Sequence, residues 1–535
     1  MQSTTETLLG EKLQEEISKL LQYSDSCIVS MTATHEVEKG LLQCLLRMGQ
    51  LILVTVIKAQ ISSLAGQKVE AIKDELVERK GNSGRDYLSI FGKITFFRPS
   101  FWSKLRGKMY LVDDVLDLPK HQMSYVLQEI LLENGSESDY TESVRVVNTL
   151  LSLNISAKNS ERNMSELGCL ADEFYADFPV EKELNPVCFS ASFDGKGVPK
   201  IKEKVKEKEK KKSKRSTSGT PSVSDDSVCP NTPNDNPKKR LGKGEKRNVM
   251  QMATVSVSSS FTPNIRTKSD IIKSLIYSPL SKIKEQKEDE KGAKKGAGET
   301  TDLEKKMNDN RWHQGIHRRA FLADQHKAVD YGIKNIADRM SHPDSRFVVP
   351  IDAGIGLEDK VLESVKKYKL EAHFDGIILD IIHVSEYVWL VANAVYGEKS
   401  KEKFPFVEKM LDDLLDSKTE QVIAQIKQVL QTKKWSEHKE KQIQKTVTYF
   451  ENHQHKMDYK KFIQKGYPVS SALVESACGH LVKERMEQTG MRWSSQGAQD
   501  VLDARAIKQN QHINKFMDFV RQRTKNRKQN NEIIS

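Results

Sequence analysis

Asp194, Asp352 and Glu475 are the side chains whose type and setting could do chemistry together. Asp194 ends an apolar, alternating stretch, Val187-Cys188-Phe189-Ser190-Ala191-Ser192-Phe193, and a glycine turn follows it. Asp352 ends a second such stretch, Arg346-Phe347-Val348-Val349-Pro350-Ile351, ahead of Ala353-Gly354. Glu475 lies in the first turn of a helix that Ser470 or Ser471 could cap. That helix carries Leu473, Ala477 and Leu481 on one ridge and Val474, Cys478, Val482 and Met486 on its neighbour. Three convergent carboxylates without cysteine suit hard cations such as Mg²⁺ or Mn²⁺. Two such ions about 4 Å apart can activate a water or a 3′-hydroxyl and stabilise the leaving oxygen of an in-line attack on phosphate. Each acid also has a plainer role: an aspartate often ends a strand as a turn cap, and a glutamate in a first helical turn complements the helix dipole.

The elements that would position them alternate. The order is strand with Asp194, further strands, helix, strand with Asp352, helix, strand, helical block, helix with Glu475. Such alternation predicts an α/β sheet, whose parallel strands bring their carboxyl ends to one edge, where ligands bind. Asp194 and Asp352 would then lie side by side, with Glu475 reaching over from a covering helix. The spacing predicts a strand over 250–261, helices over 269–277, 323–340 and 357–368, and a strand over 376–384. From 385 to about 459 the pattern is almost wholly helical.

Upstream, residues 1–80 read as helical. The most apolar stretch, Leu41 to Ile57, carries Arg47 and Gln50, so a buried helix is expected rather than a membrane span. The longer segment from Glu36 to Leu64 is apolar on one side and could pair with another helix or another protomer. Phe91–Arg98 alternates as a strand, with Lys108–Val112 as its expected hairpin partner. Residues 122–178 read as successive helices, and the pair near 139–153 and 158–174 fits a helix-turn-helix, although only Lys158 and Arg162 on its second helix are basic.

Composition sets the frame. The 535 residues allow roughly two to four domains. Lys and Arg number 85 against 74 Asp and Glu, a net charge of +11 that suits a polyanion partner. Six scattered cysteines form no C-x-x-C pair, which argues against a disulfide framework or a cysteine zinc site and for a reducing, cytoplasmic setting. The charged, amphipathic start does not read as a signal peptide. His313, His317, His326 and His342 lack a clean ligand spacing. Residues 200–239 and 282–306 are too polar to bury a core and read as disordered excursions.

Three segments carry a family resemblance. They are Asp194-Gly195-Lys196-Gly197-Val198-Pro199; Leu379-Asp380-Ile381-Ile382-His383-Val384-Ser385-Glu386-Tyr387-Val388-Trp389; and Gly466-Tyr467-Pro468 through Glu475 to His480-Leu481-Val482-Lys483-Glu484-Arg485-Met486 and Gly490-Met491-Arg492-Trp493-Ser494. Together they resemble DDE transposases of bacterial insertion sequences, of the ISKra type. Gly244-Glu245-Lys246-Arg247 through Met252-Ala253-Thr254-Val255 looks like the same family's strand after the first acid. Gly92-Lys93-Ile94 with Leu111-Val112-Asp113-Asp114 looks like its N-terminal region. The resemblance spans about residues 85–520.

The resemblance implies an α/β chain with an RNase H-like catalytic domain. Its first part would be 185–384, an α-helical insertion 385–465 and its last part 466–510. A helical region (1–80), a β-hairpin plus helix-turn-helix-like DNA-binding region (81–178) and a basic tail (511–535) complete the expectation. The implied activity is metal-dependent DNA cleavage and strand transfer during transposition, with two Mg²⁺ or Mn²⁺ ions. Terminal inverted repeats and target DNA would be the partners, in a homo-oligomeric, nucleoid-associated complex with no membrane attachment. Asp194 and Glu475 take the first and last acid positions. The second is open between Asp352, which is favoured although the family's Asp-Gly is here Asp-Ala-Gly, and Asp380, which belongs to an Asp-x-x-His unit with His383. Lys483, Arg485, Arg492 and Trp493 are candidate DNA contacts, with core packing the plainer role for Trp493. The alternatives are a transposase-derived DNA-binding protein without catalysis and a metal-dependent nuclease of the same fold.

Overall fold

The computed structural model describes residues 2–65, 71–72, 75–201, 248–276, 313–354, 356–432, 434–488 and 490–534. Of the polar stretches expected at 200–239 and 282–306, all but Lys200 and Ile201, which end a strand, lie outside them, as do the motif residues 240–247. The chain forms two compact units. One comprises the described residues of 2–177 and 503–534, and the other those of 178–201 and 248–502.

The first unit opens with two long helices, α1 (Gln2–Val29) and α2 (Thr34–Ala65). The expectation of a buried apolar helix is not met. Thr34–Leu64 is long and apolar enough to cross a membrane by length and composition, yet only 6% of its most apolar window is buried. Ile57 and Ile61 enter a small core with Ile94, Phe96, Val112 and Leu118, while Leu42, Leu45, Ile52 and Val56 stand exposed. Two-residue strands β1 (Ala71–Ile72) and β2 (Glu75–Leu76) lead to β3 (Glu78–Ser89), β4 (Gly92–Ser103) and β5 (Gly107–Met109).

The main partner of β4 is β3, a polar strand that sequence alternation does not reveal. The expected return strand is short, because Leu111–Val115 is a helical turn, α3. In that turn Asp113 receives Arg85 (Nη1–Oδ2 2.5 Å) and Arg98 (Nε–Oδ1 2.6 Å), and Arg98 stacks on Tyr110. The Leu-Val-Asp-Asp segment is thus a buried clamp between sheet and turn. Helices α4 (Tyr125–Glu137), α5 (Tyr140–Leu151) and α6 (Ala157–Gly168) follow. Ser124, Asp139 and Ser156 cap them by accepting first-turn N–H groups. They enclose Leu127, Leu131, Val144, Val147 and Ile155.

Helix α7 (Ala171–Asp177) meets the C-terminal segment. The basic segment expected over 511–535 is helical over Ile513–Ile534, and its Phe516, Met517 and Val520 are buried. Phe516 stacks edge-on against Phe174, with ring centroids 5.3 Å apart. An aromatic seam therefore holds down a segment that reads as charged.

The second unit is built on a five-stranded mixed sheet of order β10-β9-β6-β7-β8. Strands β6 (Cys188–Ile201), β7 (Asn248–Phe261) and β8 (His313–Leu322) run antiparallel, whereas β9 (Arg346–Ile351) and β10 (Phe374–Leu379) run parallel to β6. Strand β8 was not legible from alternation, since its buried residues are His313, Arg319, Ala320 and Phe321. Helix α8 (268–276) follows β7, α9 (Gln325–Arg339) follows β8, and α10 (Leu357–Lys367) joins β9 to β10. Gly332 of α9 lies so close to the sheet that a Cβ would sit 2.6 Å from Ser256 Oγ and 2.8 Å from the Phe193 ring.

After β10 the chain is helical: α11 (Ile381–Tyr396), α12 (Lys403–Leu415), α13 (Thr419–Gln431), α14 (Glu437–His453) and α15 (Tyr459–Gln464). These helices share one core with Phe261, Val348, Ile378 and Leu379 of the sheet. Then come α16 (Ala472–Ala477), a π-helical segment (Cys478–Lys483) that continues it, and α17 (Ser495–Gln509). The chain is therefore of mixed α/β class, helix-rich around a mixed sheet.

Candidate active site

Strand β6 buries Phe189, Ala191 and Phe193 against Val329, Ile333 and Ile336 of α9, and β9 adds Phe347, Val349 and Ile351 to the same core. Alternation therefore turns Asp194 to the opposite face. Phe193 and Ile351 are register partners across the parallel β6–β9 pair, so Asp194 and Asp352 each follow a paired residue at the same level of the sheet. Both are half-buried. The Gly195 N–H donates to Asp194 Oδ1 at 2.6 Å, and the Gly354 N–H donates to Asp352 Oδ1 at 2.7 Å. Asp352 ends its strand as expected, but Asp194 does not: β6 runs on through Gly195 to Ile201, paired with β7 throughout, so Asp194 lies mid-strand where only the pairing with β9 stops, and the Gly195 N–H that fixes its oxygen belongs to the strand itself.

Glu475 is exposed on α16, which packs on β6 and β7. One turn on, the buried Cys478 thiol lies beside the Asp194 carboxylate. Burial pushes the Cys478 thiol up, and the negative charges of Asp194 and Glu475 push it further. Glu475 and Asp194 thus act on the same thiol. Sequence reading had Cys478 only as part of an apolar ridge. The π-helical segment explains why Ala477, Cys478, Leu481, Val482, Arg485 and Met486 are all buried: wider turns keep residues four apart on one face. Beyond the helix, Trp493 pairs with the end of β6, its N–H donating to Pro199 O at 3.1 Å while Ile201 N–H donates to Trp493 O at 2.9 Å. The Glu475 helix is therefore held along β6 at both ends.

The approach to that helix is fixed by Gly466-Tyr467-Pro468. Gly466 has φ +69°, and a Cβ there would meet Asn264 N at 2.7 Å. The Tyr467 hydroxyl donates to Asp375 Oδ2 at 2.6 Å, where Lys465 Nζ also donates at 3.0 Å. These motif residues anchor the turn to β10.

Asp352 lies within electrostatic reach of His383, Tyr387 and Tyr449. Tyr387 and Tyr449 stack with centroids 3.8 Å apart and an interplanar angle of 14°. For His383, burial favours the neutral ring, but Asp380, Glu386 and Asp352 outweigh it and raise the imidazole above its usual value. Its Nδ1 lies 3.5 Å from Glu386 Oε2.

Asp380 is sealed in the core at 1% exposure. Its Oδ1 accepts the Ile382 N–H, and its Oδ2 accepts both the N–H and the hydroxyl of Ser471. Burial raises this carboxyl, and the donors from Ser471 and Ile382 pull it back. A carboxylate so enclosed is a poor choice for a metal ligand, whereas Asp352 is reachable.

Among the candidate DNA contacts, Lys483 and Arg492 are exposed. Arg485 and Trp493 are not available to DNA. Arg485 is fully buried, its guanidinium lies 4.9 Å from the Trp493 ring centre and its Nη1 contacts Met491 Sδ at 2.9 Å. Trp493 Nε1 donates to Met486 O at 3.2 Å. They form an internal cation–π pair beneath the helix end, which corrects their reading as DNA contacts.

Among the described residues, no three His, Cys, Asp or Glu side chains are gathered closely enough to hold a metal ion. The donor chemistry at Asp194, Asp352 and Glu475 nevertheless fits a hard cation: all oxygen, accessible to solvent in part, with two carboxylates already steadied by backbone N–H groups. No protein-family model matches the chain, and no curated protein is significantly similar to it.

Proposed function

We propose that this chain is a DDE-type DNA transposase that binds the ends of an insertion sequence, cleaves them and joins a 3′-hydroxyl to target DNA. The observation that carries the reading is the level pairing of Asp194 and Asp352 on adjacent parallel strands, with the Glu475 helix packed along the strand that bears Asp194. A mixed five-stranded sheet with helices packed on it, and a helical block between β10 and α16, is compatible with an RNase H-like catalytic domain carrying a helical insertion.

Mg²⁺ or Mn²⁺ ions held by Asp194, Asp352 and Glu475 would supply activation of the attacking oxygen and neutralisation of phosphate charge. The chain's own contribution is to hold the acids. Gly195 and Gly354 N–H groups orient the two aspartates, and the buried Cys478 lies beside Asp194. Lys483 and Arg492, exposed on and just after the helix that bears Glu475, are suited to phosphate oxygens. The net charge of +11 serves approach to DNA. The complex would be a homo-oligomer formed in the cytoplasm on the nucleoid.

The test is a joining assay with the purified chain, labelled element ends and Mg²⁺. Strand-transfer products that vanish in Asp194→Asn, Asp352→Asn and Glu475→Gln are expected. Binding without cleavage would mean a non-catalytic DNA-binding protein, and hydrolysis without joining a nuclease.

A further inference from the structure

Asp380 makes more bonds than a helix cap requires. As the residue before α11 it needs only to accept the Ile382 N–H, which it does at 2.7 Å. Its second oxygen is given to a different part of the chain, accepting the Ser471 N–H at 3.0 Å and the Ser471 hydroxyl. Ser471 in turn is the residue before α16, and its hydroxyl caps nothing in its own helix. Its carbonyl receives the Glu475 N–H at 3.2 Å. On the other side, the Asp380 N–H donates to Ile351 O at 2.8 Å, one residue before Asp352. The neighbouring Ile381 N–H donates to Val469 O at 3.0 Å, a parallel strap two residues away.

We infer that Asp380 is a positioning residue that sets the Glu475 helix against the strand end bearing Asp352. The route is continuous: Ile351 carbonyl, Asp380 backbone, Asp380 carboxylate, Ser471, Glu475. Each link is a hydrogen bond, and the carboxylate at its centre is 1% exposed, with both oxygens engaged. Loss of one partner leaves the others buried without an acceptor, so the tie is cooperative. The role of Glu475 in phosphoryl transfer rests on the function proposed above, but the tie does not.

The experiment therefore reads the tie without activity first. Amide hydrogen exchange is measured on the full chain and on Asp380→Ala, Asp380→Asn, Ser471→Ala and Glu475→Gln. The expected result is about tenfold to a hundredfold faster exchange over 470–477 in Asp380→Ala, less in Ser471→Ala, and unchanged exchange over α9, which reports that the fold persists. Asp380→Asn keeps an acceptor for part of the network and should fall between wild type and Asp380→Ala. Glu475→Gln should exchange like wild type. Joining activity should follow exchange across the Asp380 and Ser471 variants, while Glu475→Gln loses joining with no change in exchange. Wild-type exchange over 470–477 in both Asp380→Ala and Ser471→Ala would overturn the inference. So would full loss of joining in Asp380→Asn at wild-type exchange, because Asp380 would then act directly. Altered exchange with no joining by any form, wild type included, would leave the tie standing and remove the proposed function.

Discussion

Asp194 and Asp352 follow the register-paired residues Phe193 and Ile351 on neighbouring parallel strands, so one level of the sheet presents two carboxylates 158 positions apart in sequence. Neither forms an ion pair with a described lysine, arginine or histidine. Each has one oxygen steadied by the N–H of a following glycine. Isosteric removal of charge should relieve repulsion at no cost to packing. Asp194→Asn and Asp352→Asn are expected to unfold in urea within about 0.5 kcal/mol of wild type, or slightly later. A loss above about 2 kcal/mol in urea titration would give these acids a structural role instead.

Arg485 and Trp493 are expected to matter for stability rather than for DNA affinity. Arg485→Ala removes a fully buried cation stacked on Trp493 and should destabilise the second unit by about 3 kcal/mol or more in denaturant unfolding. Lys483→Ala and Arg492→Ala, both at exposed positions, should leave stability within about 0.5 kcal/mol and flatten the salt dependence of DNA binding by about one unit each. The two sets of variants are separated by measuring unfolding and a salt titration of affinity in parallel.

Acid should loosen the second unit through His313. Burial, and then the neighbouring Arg266 charge, lower its imidazole from 6.5 to about 4. A base depressed in the folded state binds its proton more readily once unfolded. Its contribution is thus fully present above pH 6.5 and is lost as pH falls from 6.5 towards 4, amounting to about 3 kcal/mol at the limit. His313→Gln is expected to flatten the fall in unfolding midpoint between pH 7 and pH 5. An equally steep fall in that variant would assign the pH dependence to other groups.

Gly466→Ala should uncouple the approach to the Glu475 helix. The position has φ +69°, and an added Cβ would press on the Asn264 backbone. A loss of about 2 kcal/mol or more is expected from the left-handed conformation and the contact together. A thermal midpoint equal to wild type would show that the turn can move without consequence.

The paired helices α1 and α2 expose Leu21, Ile28, Leu42, Leu45, Ile52 and Val56. Exposed apolar side chains of this kind suit burial against a partner, and a second copy of the same hairpin is the occupant that fits the proposed homo-oligomer. Light scattering should find a dimer for the wild type and a monomer for Leu42→Glu with Ile52→Glu. A monomeric wild type, or one that floats with lipid vesicles, would contradict this.

The sequence made the alternating strands of the second unit legible where the burial was simple. Phe189, Ala191 and Phe193 alternate cleanly, as do Phe347, Val349 and Ile351, and so both aspartates could be found, although Gly195 and Gly197 read as a turn where β6 in fact continues to Ile201. Strand β8 escaped because it buries Arg319 and His313, side chains whose polarity reads as surface. Strand β3 escaped because it is polar and half-exposed. The hydroxyl of Ser471 looked like a helix cap and instead serves Asp380, a choice set by tertiary contact. Arg485 looked like a surface cation because of its charge, although it continues the ridge of Ala477 and Leu481; the Trp493 ring that receives its guanidinium is supplied by tertiary contact. The apolar face of α2 looked like core because hydropathy does not say which partner covers it.

The most direct measurement is DNA joining by the purified full chain, with labelled ends of its own element and Mg²⁺, across single charge-removing substitutions. Joined products are expected from the wild type and are expected to fall about a thousandfold or more in each of Asp194→Asn, Asp352→Asn and Glu475→Gln. Joining that survives in Asp352→Asn but disappears in Asp380→Asn would contradict the assignment of Asp352. The absence of any joined or cleaved product from the wild type would contradict the enzymatic reading itself.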